Sequence, residues 1–223
     1  CSSDLRYLPE LSFVMPLKDT SLLVRAGVHS MVKQNTYQTL SSENPFLLSA
    51  IQPFNQRSTE YYAGASAFLG KYVQVSANLS YGRIRQFAFY VNDTTSPLKA
   101  HLYSVSMEDK INNLRATVDM SYSFQDKINV SAGVELNSYS GMKLNTRAWN
   151  ILPMQIHATA EYKFKKHWTF KGNWWLFSGS YYPVSGGNDS RFEGGNDLSV
   201  EAIYSIRKDR KSTRLNSSHE WIS

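Results

Sequence analysis

Leu114-Arg115-Ala116-Thr117-Val118-Asp119-Met120-Ser121-Tyr122-Ser123-Phe124, then Gln125-Asp126-Lys127, then Ile128-Asn129-Val130-Ser131-Ala132-Gly133-Val134-Glu135-Leu136 is the stretch that decides the fold. Every second residue is apolar or aromatic on either side of a three-residue break, and the residues between are polar, charged or glycine. A helix would mix the two sets within two turns, so the period of two predicts a β-hairpin with one apolar and one polar face. The same alternation runs through 73–81, 156–164 and 198–206. In these five segments all 26 positions of one set are apolar or aromatic, and Ile203 is the one exception among the 21 between them.

Working outward, nine strands are expected, at 6–15, 20–34, 60–68, 72–90, 101–124, 128–139, 155–164, 168–177 and 197–207. Connections of three or four residues (16–19, 69–71, 125–127, 165–167) alternate with long ones (35–59, 91–100, 140–154, 178–196). Glu108-Asp109-Lys110 could split the fifth strand, but a split would break that parity. One long strand with a bulge is therefore expected there. Tight turns at one end and long loops at the other describe an antiparallel transmembrane β-barrel, about nine strands of a larger one.

A soluble β-sandwich alternates in the same way. Three features favour the membrane. The apolar run 73–81 is nine residues, after which Arg83 and Arg85 occupy the same face; roughly nine to eleven tilted residues cross the hydrocarbon. Aromatics flank the short turns (Phe68, Tyr72, Phe124, Phe164, Trp168), as at a membrane interface. The polar face carries Arg115, Asp119, Glu135, Glu161, Lys163, Lys171 and Glu201, which suits a water-filled or plugged lumen.

The chain has 223 residues, a net charge of +6, a mean hydropathy of −0.40 and one cysteine, Cys1. A disulfide framework and a cysteine metal site are excluded. The positive charge is dispersed over strands and turns, so no nucleic-acid partner is expected. His29, His101, His157 and His167 have no metal-ligand spacing. Glu135 and Glu161 sit on the polar faces of different strands, so acid–base catalysis is not expected, and neither is an enzyme, a cofactor or a metal. Gly186-Gly187-Asn188-Asp189 recurs as Gly194-Gly195-Asn196-Asp197, which turn chemistry explains better than a calcium loop.

The ends read differently. Asp209-Arg210-Lys211-Ser212-Thr213-Arg214-Leu215-Asn216-Ser217-Ser218-His219 resembles the translation of a sequencing adapter, and Cys1-Ser2-Ser3-Asp4-Leu5 fits its reverse complement. Residues 1–5 and 209–223 are thus expected to be adapter-derived, and 6–208 to be a partial outer-membrane barrel from a longer gene. Both ends remove as many basic as acidic residues, leaving the charge of the remainder unchanged.

Several short motifs carry a resemblance: Thr36-Tyr37-Gln38-Thr39-Leu40, Glu43-Asn44-Pro45-Phe46-Leu47, Tyr90-Val91-Asn92-Asp93, Ala148-Trp149-Asn150-Ile151-Leu152-Pro153 and Asp197 to Ile206. They resemble landmarks in the barrel of TonB-dependent outer-membrane receptors. That resemblance implies a barrel near 22 strands around an N-terminal plug, long loops outside and short turns in the periplasm. It also implies partners: the lipid bilayer, the TonB system through a plug domain, and a small-molecule or oligomeric nutrient. The implied location is the outer membrane of a Gram-negative bacterium, and the implied role is energy-coupled import. A passive porin or a structural or adhesion barrel is the alternative. Trp149, Tyr181, Tyr182 and Arg191 in the long loops are the residues to examine for ligand contact.

Overall fold

A computed structural model describes residues 8–17, 21–48, 52–92, 102–165, 167–184 and 189–205. The adapter-like ends lie outside these residues.

Nine strands form one antiparallel sheet: β1 (Glu10–Leu17), β2 (Leu22–Asn35), β3 (Phe54–Leu69), β4 (Val73–Asn92), β5 (Tyr103–Phe124), β6 (Ile128–Ser140), β7 (Met154–Phe164), β8 (Trp168–Phe177) and β11 (Gly195–Tyr204). Each is hydrogen-bonded to its neighbour in chain order, β1 and β11 being the two edges. The expected meander is therefore present, as an open sheet among the described residues. The long connections contain structure that the alternation did not indicate: a helix α1 (Tyr37–Glu43) and a small hairpin of β9 (Tyr181–Pro183) and β10 (Asp189–Arg191). Strand β3 begins six residues earlier than expected. Asn55 to Thr59 are polar on both faces, so alternation is silent there although the ladder to β2 continues through Asn35↔Phe54.

Register turns the alternation into two surfaces. One rung runs Leu17, Leu22, Ala67, Val75, Met120, Ala132, Ala158, Trp174 and Leu198, apolar across all nine strands. An adjacent rung on the opposite face runs Ser66, Ser76, Asp119, Gly133, His157, Trp175 and Asp197. Gly133 fits here because a Cβ would collide with Asp119 Oδ1 and the His157 ring, which face each other at 3.7 Å.

The apolar surface is uncovered. Leu79, Leu114, Val118, Leu136 and Val200 are 46 to 76% exposed, and the buried apolar side chains among the described residues are few. A soluble sandwich would cover these residues with a second sheet. No such sheet packs on them among the described residues. Aromatics cluster at the short-turn end: Tyr72 on Phe124 at 5.1 Å between ring centres, and Trp168 on Tyr204 at 4.8 Å.

Strand β5 is a single element of 22 residues, as expected, but it contains no bulge. Between the paired residues Arg85↔Lys110 and Phe87↔Glu108 each strand has a single residue, Gln86 and Asp109, so neither strand carries an insertion. The chain instead changes face. Strict alternation would separate Ile84 from Phe87 and Phe89, yet all three pack in one cluster with Ile111 and Trp149. Gln86 makes this switch by adopting a φ of 54°. A local backbone reversal, rather than an extra residue, moves aromatic side chains to the inner face just where the strand leaves the apolar band.

Candidate functional site

The inner face holds a concave pocket of about 510 Å³ at the long-loop end. Strands β3 to β6 supply its floor, with Glu60, Asn113, Arg115, Glu135, Asn137 and Tyr139. The segment after β6 closes one side with Asn150, Ile151 and Leu152. Arg115 donates to Glu135 at 2.7 Å, and Asn137 Nδ2 donates to the other oxygen of the same carboxylate at 2.7 Å. Glu161 pairs with Lys163 at 3.2 Å. Each carboxylate that the sequence singled out thus has a basic partner, and the two stand apart on the sheet.

Above the pocket, the motif residues converge although they are separated by more than a hundred positions. Thr36 caps α1: its Oγ1 accepts from the Thr39 amide, while Thr39 Oγ1 accepts from the Thr36 amide. Tyr90 OH donates to Glu43 Oε2 at 2.7 Å, and Lys33 Nζ donates to Glu43 Oε1 at 2.5 Å. Burial alone would raise the Glu43 pKa, but the Lys33 and Tyr90 hydrogen bonds outweigh it and hold the carboxyl below its usual range. Burial, then the Glu43 carboxylate, pushes the Tyr90 phenol up. Asn150 Nδ2 donates to the Tyr90 carbonyl at 2.7 Å, and Leu47 bridges to Tyr103. These contacts lie beyond the apolar band of β4.

A second anchor is Glu108, 1% exposed in β5. Its carboxylate accepts the backbone N–H groups of Lys143, Leu144 and Asn145 at 3.0, 2.7 and 2.6 Å, and Asn145 Nδ2 at 2.9 Å. Burial works against the charged form, yet these donors outweigh it and keep the pKa below the usual glutamate value. Asn145 Oδ1 in turn accepts from Ser106 Oγ and from Trp149 Nε1.

The four loop residues singled out in the sequence divide accordingly. Trp149 is 7% exposed and belongs to the core with Phe89 and Ile111. Tyr182 packs its ring on Phe192 at 4.2 Å. Tyr181 and Arg191 do come together, with Arg147 as a third member: the guanidinium carbons of Arg147 and Arg191 lie 4.1 and 5.7 Å from the Tyr181 ring centre. Arg147 also pairs with Asp189. Sequence reasoning did not select Arg147, Asn145 or Glu108. An isolated charge in a loop or a strand carries no periodic signal, and its partners are 35 to 42 residues away. The described site is a polar cup with charges of both signs and an aromatic–guanidinium rim, suited to holding a polar or charged solute by many weak contacts.

No family model matches the sequence, and no curated protein matches it. Solved structures do. The sheet superposes on the copper transporter OprC with a TM-score of 0.61 at 13% identity, covering 90% of this chain and 32% of that one. For the pyoverdine outer membrane receptor FpvA from Pseudomonas aeruginosa PAO1 the TM-score is 0.61 at 17% identity, covering 91% and 30%. For the siderophore receptor PirA from Acinetobacter baumannii it is 0.65 at 11% identity, covering 91% and 35%. The chain spans about a third of the length of these structures. At such identities the likeness is one of fold: this chain has the architecture of a run of consecutive antiparallel strands in the β-barrels of those structures.

Proposed function

We propose that the chain is part of a TonB-dependent receptor in the outer membrane of a Gram-negative bacterium, importing a scarce nutrient by energy-coupled transport. The observation that carries this reading is the nine-stranded meander with an uncovered apolar face outside, a polar cup inside and structured loops at one end. In lipid every backbone N–H and C=O needs an internal partner, so the edges β1 and β11 call for further strands to close the barrel. The likeness to receptors described as taking copper or siderophores supports a metal or metal-chelate cargo. Capture would occur at the loop end, where Arg147, Tyr181 and Arg191 stand above the cup, and release would follow rearrangement of a plug domain through TonB.

Reading the intact gene from its source, without adapter ends, tests the proposal. A plug-coding segment and strands enough for a barrel of about 22 are expected. A small even-stranded barrel without a plug would replace the receptor with a passive porin or structural barrel. The same determination tests the adapter origin of 1–5 and 209–223, since genomic codons for Asp209 to Ser223 would overturn it. Cysteines placed at Val75, Val118 and Val134 of the full protein are expected to react with a lipid-confined probe; no reaction would overturn the membrane reading.

A further inference from the structure

Four cations meet on the outer face where the apolar band ends toward the long loops. Arg57 in β3 lies opposite Arg85 in β4, and Arg85 lies opposite Lys110 in β5; Arg83 precedes Arg85 on the same face. With Leu8 and Tyr61 they line a pocket of about 300 Å³. Like charges directly opposite on neighbouring strands repel one another. Among the described residues no carboxylate pairs with any of the four. Glu60, three residues along β3 from Arg57, lines the pocket on the inner face with the sheet between, and Asp109 lines neither pocket.

We propose that this cluster binds the phosphate groups of a lipid headgroup in the leaflet on the long-loop side, a phosphorylated glycolipid being the chemistry that fits. The proposal rests on the membrane reading above. A phosphate neutralises charges that the sheet holds in register, and guanidinium groups engage its oxygens in pairs. Acyl chains explain why the cluster sits where it does. Below it the same face presents Tyr81, Leu79, Leu114 and Val118, all exposed, along which hydrocarbon can lie. Free phosphate would satisfy the cations but not their position at the rim of the apolar band.

The intact barrel protein, purified in detergent, is exchanged with a diphosphorylated glycolipid, with its dephosphorylated counterpart or with inorganic phosphate, and bound lipid is counted by native mass spectrometry. Retention of the diphosphorylated lipid is expected to fall about 25-fold in the double variant Arg83→Gln, Arg85→Gln, about fivefold for each cation. The charge-preserving Arg83→Lys, Arg85→Lys variant should retain most of it. Without lipid, the Gln variant should unfold at a higher temperature than the parent, because repulsion is relieved; a misfolded variant would show the opposite. Unchanged retention in the Gln variant, or equal retention of the dephosphorylated lipid, would overturn the proposal. So would displacement of the lipid by an equal concentration of inorganic phosphate. Labelling at Val118→Cys in the same preparation separates the two readings: with labelling intact and retention unchanged, only the lipid site falls.

Discussion

Glu108 holds Asn145 from 37 residues away: one carboxylate oxygen accepts both the backbone N–H at 2.6 Å and the side-chain amide at 2.9 Å. This makes a strand residue the organising point of a loop. The segment between β6 and β7 is anchored by a buried charge whose hydrogen-bond capacity is filled by three consecutive amides and one carboxamide, so the loop keeps one shape above the cup.

Replacing Glu108 with Gln removes the charge and sets an amide N–H against the N–H donors of the loop. A loss of about 2–3 kcal/mol is expected. Hydrogen exchange at the amides of Lys143, Leu144 and Asn145 should accelerate in the full-length protein, while the β5–β6 ladder stays protected. The pH dependence has a definite sign. A carboxyl with a depressed folded pKa contributes stability that is full above the unfolded value, near 4, and that disappears as pH falls through the folded value. Loop opening in acid, absent at pH 7 and absent from the Gln variant's profile, is the expected outcome.

The contact between Tyr90 and Glu43 ties α1 to the end of β4. Tyr90→Phe is expected to lower stability by about 1 kcal/mol. Faster exchange in α1, with unchanged exchange at the short-turn end, would mark the effect as local. Spectrophotometric titration should also show one tyrosine fewer with a raised pKa in the variant.

The turn between β5 and β6 places two non-glycine residues in the left-handed region, Gln125 at φ 50° and Asp126 at φ 53°, with Lys127 N donating to Phe124 O at 2.9 Å. Such a two-residue turn favours Asn followed by Gly. The double substitution Gln125→Asn, Asp126→Gly should stabilise the hairpin by about 1 kcal/mol, read as a shift in the denaturant midpoint.

Charge placed on the two faces should have unequal effects. Val118→Arg, in the middle of the outward apolar rows, is expected to cost about 2–4 kcal/mol in a bilayer. Its neighbour Thr117→Arg, which faces inward, should cost much less. Reversible unfolding in lipid vesicles measures both, and equal costs would contradict the assignment of faces.

Alternation in 73–81, 114–124, 128–136, 156–164 and 198–206 was sufficient to read the meander, because each side chain in a strand is sent to one of two faces by backbone geometry alone. The short and long connections and the aromatics beside the short turns were legible for the same local reason, and so were the polar inner positions Arg115 and Glu135. What tertiary structure decided depends on partners distant in sequence. Gln86 changes the face of β4 without changing register, Trp149 leaves the rim for the core, and Glu108 becomes the anchor of a loop. Likewise Arg57, Arg83, Arg85 and Lys110 form one cluster only because three strands set them side by side. Periodicity reports which way a side chain points. It does not report what stands opposite, and burial, charge pairing and repulsion are all set by what stands opposite.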